Sequence, residues 1–550
     1  MRHRDIWQYF ILSGLLLTFS WVAIGDIYPL VFFAFVPVFF VTNDYILHQK
    51  NLKIIFLATY LAFFIWNLFT TYWIYFASPF GAVGAIVLNS LFSTCSYFLG
   101  VKISEKLYKR LHFLPLVSSW IAWEFLHQHW DLSWTWLTLG NVFANIPAMI
   151  QWYEWTGTLG GTFWILLINF LIFKFLFRWK RRIFQQVLVV FLVPVLFSLL
   201  IYNGRKSNLT EENPIHVLAV QPNLDPYTEK FGTQGHLLLM DSLQTIYHSF
   251  KNQKIDHVLL PETAVTEDEN YSFDRENHLI LKGLWEHQLE KSEHLKEVKE
   301  LTKKYFPKAK ILGGMDARSL ITDGDTIGTE ANKINIATHT PLYFKNHNAA
   351  FWISGNDKIL SYNKMKLVVG VELFPFAPIL EPIFSSWMAN LGGTSGTLGR
   401  AKSPEVFSDE NKKIKIAPII CYESVYGGFV AEYVKKGANL LYIITNDAWW
   451  GNSPGHKQHQ AYARLRAIET RKWVVRAANT GISSFIDPLG MVYQSTQYGE
   501  KTAIHQQIYP NDIQTFYVRC KDYFAYLSLI FVALFLILGW TRDLLKMVKK

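Results

Sequence analysis

Long apolar runs mark both ends of the chain, and a polar, turn-rich stretch separates them. Seven runs come first, near Ile6–Ile24, Tyr28–Val41, Ile54–Phe69, Val83–Leu99, Leu114–Phe125, Gly157–Phe175 and Val187–Ile201; an eighth spans Tyr523 to Trp540. A helix needs about 20 residues to cross the hydrocarbon core of a bilayer. The pattern therefore predicts about eight membrane helices, with the second and fifth runs short. The first run follows Arg2 and Arg4 as a signal peptide would. It reads instead as a span, because no small-residue cleavage site is evident and another apolar run follows at once.

Between the seventh and eighth runs the pattern changes to short β-rich segments: His216–Val220, His257–Leu260, Ala309–Leu312, Ala350–Ile353, Ile414–Ile420, Leu440–Thr445, Trp473–Ala477 and Ser484–Ile486. Several are bounded by Pro, Gly, Asn or Asp, as strands usually are. Helical stretches are expected at His287–Tyr305, where dense Lys and Glu read as a solvated face, and at His456–Thr470. The expected layout is a transmembrane domain over 1–205 with about seven helices, an α/β domain over 213–511, an eighth transmembrane helix over 522–541 and a tail over 542–550.

Composition supports a lipid-facing part. Hydrophobic residues make up 51% and charged residues 17%, against about 25% charged in a soluble domain. Aromatics reach 16%, with 20 Trp and 42 Phe, and such residues anchor spans at the membrane interface. The formal net charge of +10 raises nucleic-acid binding as a reading. Its placement argues otherwise. Basic residues cluster in every second loop: Arg2 and Arg4; Lys50 and Lys53; Lys102, Lys106, Lys109 and Arg110; Lys174, Arg178, Lys180, Arg181 and Arg182; Arg542, Lys546, Lys549 and Lys550. By the positive-inside rule these loops and both termini are cytoplasmic, and the α/β domain lies on the opposite side.

Three local sequences carry candidate chemistry. Leu259-Leu260-Pro261-Glu262-Thr263-Ala264 puts a carboxylate at the end of an apolar strand, where α/β domains bind ligands; a helix-starting Glu after Pro is the plainer reading. Tyr362-Asn363-Lys364-Met365-Lys366-Leu367-Val368 sets two lysines among apolar neighbours, and surface charge is the commoner fate of a lysine. In Ile416-Ala417-Pro418-Ile419-Ile420-Cys421-Tyr422-Glu423-Ser424 an apolar strand runs into a cysteine followed by polar partners. A buried structural cysteine is the usual alternative. A nucleophilic thiol needs a base or a nearby cation, which Glu262 and Lys364 supply if the fold joins the strand ends. Of the other cysteines, Cys95 lies in an apolar run and Cys520 just before the last one. Three cysteines without metal-ligand spacing predict neither a metal site nor a disulfide framework.

In the order Glu, Lys, Cys, these motifs resemble the triad of the nitrilase superfamily. Ile444-Thr445-Asn446-Asp447-Ala448-Trp449-Trp450-Gly451, then His459, Ala463, Arg464, Arg466, Ala467 and Glu469, then Arg476-Ala477-Ala478-Asn479-Thr480-Gly481-Ile482-Ser483 extend the resemblance to the apolipoprotein N-acyltransferases in particular. The arrangement of spans matches that family as well, so nearly the whole chain is covered. The resemblance implies a nitrilase-like α-β-β-α sandwich inserted before the last of about eight transmembrane helices. It implies Glu262 as general base, Lys364 as oxyanion stabiliser, with backbone N–H groups near Tyr422, and Cys421 as nucleophile. Glu372, eight positions after Lys364, matches a second essential carboxylate; Tyr422 and Glu423 match the residues after the family's cysteine. Trp136 matches a tryptophan of a membrane-domain loop near substrate access, with an interfacial anchor as the alternative. Two positions depart from the family. Val369-Gly370-Val371 replaces the usual Pro-Phe-Gly, and the loop after Gln221 lacks the family's Trp, leaving Tyr227 or Phe231 as an apolar contact for acyl chains.

The implied reaction passes a fatty acyl chain from a phospholipid donor through a Cys421 thioester to the α-amine of a diacylglyceryl-cysteine on a lipoprotein. No cofactor, metal or nucleic acid is called for. The implied setting is a monomer in the bacterial inner membrane, its catalytic domain facing the periplasm. One alternative is a membrane-anchored amidase using water as acceptor, although a single helix would suffice for anchoring. The other is a transporter or receptor, for which intramembrane charges would be the sign; the spans hold few, Glu124 among them.

Overall fold

The computed structural model describes residues 3–206, 214–230, 234–268, 270–273, 279–322, 328–334, 341–355, 358–379, 397–409 and 413–548. The chain divides into two units, Met1–Lys206 with Thr515–Lys550, and Ser207–Gln514.

The first unit is helical, since a backbone in hydrocarbon satisfies its own N–H and C=O groups only as a helix or a closed barrel. Its main helices are α1 (His3–Ser20), α2 (Val36–Leu47), α3 (Lys53–Thr71), α4 (Pro79–Tyr108), α5 (Phe113–Leu126), α6 (Tyr153–Arg178), α7 (Arg181–Lys206) and, after the second unit, Tyr523–Val548. Among the described residues six segments are long and apolar enough to cross a membrane: Tyr28–Leu47, Lys53–Thr71, Pro79–Tyr108, Tyr153–Arg178, Arg181–Lys206 and Tyr523–Val548. Ile6–Ser20 and Phe113–Leu126 are apolar but shorter. The run expected from Tyr28 opens as a 3-10 turn, Tyr28–Phe32, before α2 begins. Small residues let helices close on one another, as in other membrane bundles. A Cβ on Gly14 of α1 would lie 2.5 Å from the Ala62 carbonyl of α3, and one on Gly100 of α4 would lie 2.8 Å from Leu116 Cα of α5. Glu124 is buried. Trp120 Nε1, Leu139 N and Thr162 Oγ1 donate to its carboxylate at 2.9, 2.9 and 2.7 Å, so it ties α5 to α6 and the turn between them.

The second unit is built on two sheets. The strands of these two sheets, in chain order, are β1 (Ile215–Gln221), β2 (His257–Leu259), β3 (Lys310–Leu320), β4 (Ala331–Ile334), β5 (Leu342–Ile353), β6 (Ile359–Asn363), β7 (Phe407–Asp409), β8 (Ile414–Ile420), β9 (Leu440–Thr445), β10 (Val474–Ala478), β11 (Ser484–Ile486), β12 (Val492–Ser495) and β13 (Thr502–Ile508); among the described residues two further strands, Asn270–Phe273 and Leu279–Lys282, pair with each other alone. The first sheet runs β13-β1-β2-β3-β5-β4, with β6 also paired to β5; the second runs β12-β11-β10-β9-β8-β7. β1, β2 and β3 are parallel, as are β8, β9 and β10. The helices Gly235–Phe250, Glu293–Tyr305, Gly427–Lys435 and Pro454–Thr470 belong to the same unit. The parallel strands are largely apolar, as strands covered on both faces are, and their apolar stretches are the runs visible in the sequence. β13 carries three consecutive polar residues, His505, Gln506 and Gln507, and pairs antiparallel with all of β1; a search for apolar runs passes over it. β3 and β5 extend well beyond their expected ends. The stretch expected as one helix, His287–Tyr305, breaks at Ser292, whose Oγ accepts from Leu295 N at 3.1 Å and starts a new helix there.

A buried polar cluster joins the two sheets. His257 of β2 bonds Tyr442 OH of β9 through Nδ1 at 2.8 Å and Asp409 of β7 through Nε2 at 3.2 Å. Lys310 of β3 pairs with the other Asp409 oxygen. Burial works against the Asp409 charge, but the bonds from His257 and Lys310 win and hold its carboxyl down to about 2. Removing one partner of a buried ion pair costs about 3 kcal/mol or more, because the other charge is stranded. Asp409→Asn is expected to lower the melting temperature of the detergent-solubilised protein by several degrees; an unchanged melt would show that the cluster adds no stability.

Candidate active site

Three strand ends and one loop bring the candidate residues together. The chain leaves β2 through Leu260 and Pro261 and turns at Thr263, whose φ is +45°. Gly314 of β3 runs against this turn. Its N–H donates to the Pro261 carbonyl at 3.0 Å, and a Cβ there would sit 2.3 Å from Thr263 N and 2.6 Å from Glu262 Cα. Only glycine allows that approach. The turn presents Glu262 inward. Its Oε1 accepts from Asn348 Nδ2 at 2.7 Å and Lys364 Nζ at 3.0 Å, and its Oε2 accepts from Asn446 N at 2.9 Å.

Lys364 follows β6, and its own N–H continues the ladder to the Asn348 carbonyl of β5 at 2.8 Å. Its side chain is 1% exposed. Besides Glu262, its ammonium donates to Glu372 Oε1 at 2.9 Å. Where the family's Pro-Phe-Gly is replaced, Gly370 takes φ +80°. The chain folds back, so that Glu372 N donates to the Val368 carbonyl and Val368 N to Glu372 Oε2, both at 2.8 Å. The altered loop therefore still delivers Glu372 to Lys364. Asn348 Nδ2 reaches that carboxylate too, at 2.8 Å.

Cys421 sits at the end of β8 with φ +48° and starts the 3-10 turn Cys421–Val425. Glu423 holds the turn. Its carboxylate accepts from Ile420 N, Met365 N and Tyr362 OH at 2.8, 2.7 and 2.8 Å, which links the Cys421 turn to the Lys364 segment. Tyr422 is buried and packs edge-on against Tyr426, ring centroids 5.2 Å apart. Behind the turn lies a polar chain. Ser424 Oγ donates to the Cys421 carbonyl at 2.7 Å and contacts His459 Nε2 at 3.0 Å; His459 Nδ1 meets Asp447 Oδ1 at 3.0 Å, and Arg476 Nη2 meets Asp447 Oδ2 at 2.6 Å.

The electrostatics follow from burial and pairing. Burial alone would raise Glu262, but the Lys364 ammonium and the bonds from Asn348 and Lys364, with Lys230 adding its charge, hold it below the usual carboxylate range. Burial would lower Lys364, but Glu262 and Glu372 hold it well above the usual lysine value. Burial pushes the Cys421 thiol up; Glu262 adds to the rise and Lys364 opposes it. At rest the site thus holds a carboxylate, an ammonium and a neutral thiol. Among the described residues no group of three or more His, Cys, Asp or Glu is placed to hold a metal ion.

Residues 238–517, just over half of the chain, match the carbon-nitrogen hydrolase family model. The chain belongs to the carbon-nitrogen hydrolase family. In this family member, residues 13–171 also match the model of the apolipoprotein N-acyltransferase N-terminal domain. The chain is 28% identical to an apolipoprotein N-acyltransferase of Chlorobaculum tepidum, over 93% of this chain and 92% of that protein. It is 25% identical to one of Geobacter metallireducens, over 97% and 95%. Among solved structures it is similar to an amidase from Nesterenkonia sp., with TM-score 0.35 and 12% identity, covering 58% of this chain and 98% of the amidase.

Within the hydrolase domain, then, Glu262, Lys364 and Glu372 form one bonded cluster, Cys421 lies in its electrostatic field, and Glu423 ties the two loops. Tyr227 is largely exposed and stands edge-on to Trp449 at 5.1 Å. Phe231 lies outside the described residues. In the helical unit Trp136 is buried, packed against Trp73 and Trp134 at 4.9 and 5.7 Å. Sequence reading passed over Asn348, which bonds both carboxylates; the available signal was an Asn directly before the apolar run Ala349–Ile353. It also passed over Lys230, which reaches the Glu262 carbonyl.

Burial raises Glu423 from an ordinary 4.5 to about 7, against the lowering effect of Ile420 N, Met365 N and Tyr362 OH. The folded protein therefore binds this proton more tightly than the unfolded chain. Stability is expected to fall as pH rises from about 4.5 to about 7. Glu423→Gln is expected to flatten that slope, measured by thermal melts across the range; an identical slope in both proteins counts against the assignment.

Proposed function

We propose that this protein is an N-acyltransferase that moves a fatty acyl chain from a phospholipid to the N-terminal amine of diacylglyceryl-cysteine in apolipoproteins, by way of a thioester on Cys421. The observation that carries the reading is the buried Lys364 ammonium bonded to both Glu262 and Glu372 beside the Cys421 thiol. The match of residues 13–171 and the near full-length similarity to apolipoprotein N-acyltransferases supply the choice of acceptor. The fold we assign is an α-β-β-α sandwich inserted before the last of about eight transmembrane helices. We assign 1–205 to the transmembrane domain, 213–511 to the catalytic domain, 522–541 to the last helix and 542–550 to the cytoplasmic tail. Basic loop charge supports a catalytic domain on the periplasmic side of the inner membrane.

In the first half-reaction Cys421 sulfur attacks the ester carbonyl carbon of the phospholipid as Glu262 takes the thiol proton. The thiol is held neutral and the carboxylate ionised, so proton transfer accompanies attack rather than preceding it. Two Lys364 N–H bonds go to carboxylates, and the third stabilises the oxyanion. Collapse breaks the ester C–O bond, Glu262 returns its proton to the leaving alkoxide, and a lysophospholipid departs. In the second half the acceptor amine attacks the thioester, Glu262 takes an amine proton, the C–S bond breaks and the proton returns to sulfur. The sequence is ping-pong. Glu372 keeps Lys364 charged and oriented. Tyr422 and Glu423 shape the nucleophile turn. Tyr227 or Phe231 supplies an apolar contact for acyl chains, and Trp136 belongs to the substrate path. The partners are a phospholipid, a diacylated lipoprotein and the bilayer, with the enzyme a monomer and no cofactor required.

Purified protein incubated with phospholipid is expected to gain one acyl mass on the Cys421 peptide, and Cys421→Ala to lose that mass and all transfer to a diacylated lipopeptide. Full transfer by the Ala variant would end this assignment. Release of free fatty acid without N-acylated peptide would make the protein an amidase-like hydrolase instead. Lys364→Met is expected to cut the acylation rate by at least about a hundredfold, the scale of a lost oxyanion donor; single-turnover acylation measures it.

A further inference from the structure

Lys230 has no role in the reaction as written, yet its side chain is buried beside the reacting groups. It closes the loop after β1, where Glu229 N and Lys230 N donate to the Asp225 carbonyl at 3.0 and 2.8 Å. Its Nζ donates to the Glu262 carbonyl at 2.7 Å and to Thr263 Oγ1 at 2.6 Å. Both acceptors flank the peptide that turns Glu262 into the site. Thr263 is β-branched with φ +45°, a conformation such residues avoid, so something must hold it. Gly314 supports one side of the turn and Lys230 bonds the other.

We infer that Lys230 is a positioning residue for acyl transfer, its ammonium clamping the Glu262–Thr263 peptide so that the Glu262 carboxylate stays aimed at the Cys421 thiol. The inference rests on the acyl-transfer reading for the identity of the reaction. A lysine kept only for stability would be served as well by an apolar side chain, because burying an ammonium is costly unless its partners repay it. Here the bonds are spent on the backbone of the base itself. The charge acts as well. Burial lowers Lys230 to about 8, while Glu262, Asp316 and Cys421, if ionised, favour its charged form. By the same coupling Lys230 favours ionised Glu262 and a thiolate at Cys421. Lys364 faces both of these groups, Glu372 faces Lys364, and Asp447 faces Cys421.

The test uses the full-length protein with Lys230→Met and Lys230→Arg. Lys230→Met is expected to slow Cys421 acylation by phospholipid about tenfold or more while KM changes less than about twofold. The acid limb of its rate profile should move to higher pH, because Glu262 has lost a neighbouring positive charge. Lys230→Arg should restore the limb and much of the rate. Alkylation of Cys421 by iodoacetamide gives a readout independent of the natural reaction, and Lys230→Met should slow it several-fold at pH 7 to 8. Acylation and alkylation within twofold of the parent overturn the inference. So does a loss of rate with an unmoved acid limb and no rescue by Arg. A parent protein that alkylates normally yet takes no acyl group from phospholipid removes the acyl-transfer reading and leaves Lys230 to be judged on alkylation alone.

Discussion

One buried ammonium organises the site. Lys364 lies between the Glu262 and Glu372 carboxylates, at 3.0 and 2.9 Å, with almost no contact with water. Taking three charges out of water is expensive, and only close pairing with further hydrogen bonds offsets the loss. Asn348 supplies those bonds by donating to both carboxylates, and Asn446 N and Val368 N complete them. Loss of any one charge strands the others. The lysine therefore fixes the relative positions of the β2 end, the β5–β6 pair and the Val368–Leu373 turn, and the chemistry depends on that arrangement.

Charge balance then decides the resting state. Lys364 and Lys230 are set against Glu262 and Glu372, so no net positive charge is left to draw a proton from the thiol. Burial keeps Cys421 neutral. A permanent thiolate would be exposed to oxidation and unwanted electrophiles. A neutral thiol beside the ionised Glu262 is spared that exposure.

Much of this was legible in the sequence, for identifiable reasons. The apolar helices and the parallel strands β8, β9 and β10 are largely hydrophobic, interrupted by Lys415 and Arg476; Cys421 stands directly at a strand end and Glu262 just past one. What escaped reading lacks such a signal. β13 lies at a sheet edge and carries His505, Gln506 and Gln507 in a row, so it forms no apolar run. The helix break at Ser292 depends on one side-chain cap inside a charged stretch. Asn348 and Lys230 matter through partners far away in sequence, so only the fold reveals them. The Gly370 turn shows the converse: with Val369-Gly370-Val371 in place of the Pro-Phe-Gly that the resemblance implies, the bonds between Val368 and Glu372 still set the Glu372 carboxylate on Lys364.

Two non-glycine residues with left-handed backbones mark the two sides of the reaction centre, Thr263 after the base and Cys421 itself, at φ +45° and +48°. Each such residue costs on the order of 1 kcal/mol or more and persists only where its surroundings over-determine it. Those surroundings are visible. Gly314 and Lys230 hold the first turn, while Ser424, His459, Asp447 and Arg476 form a buried chain that ends on the Cys421 carbonyl. The first support comes from the sheet that carries Glu262 and the second from the sheet that carries Cys421. The polar clusters behind the two strand ends are the means by which a fold with an apolar core holds these two turns.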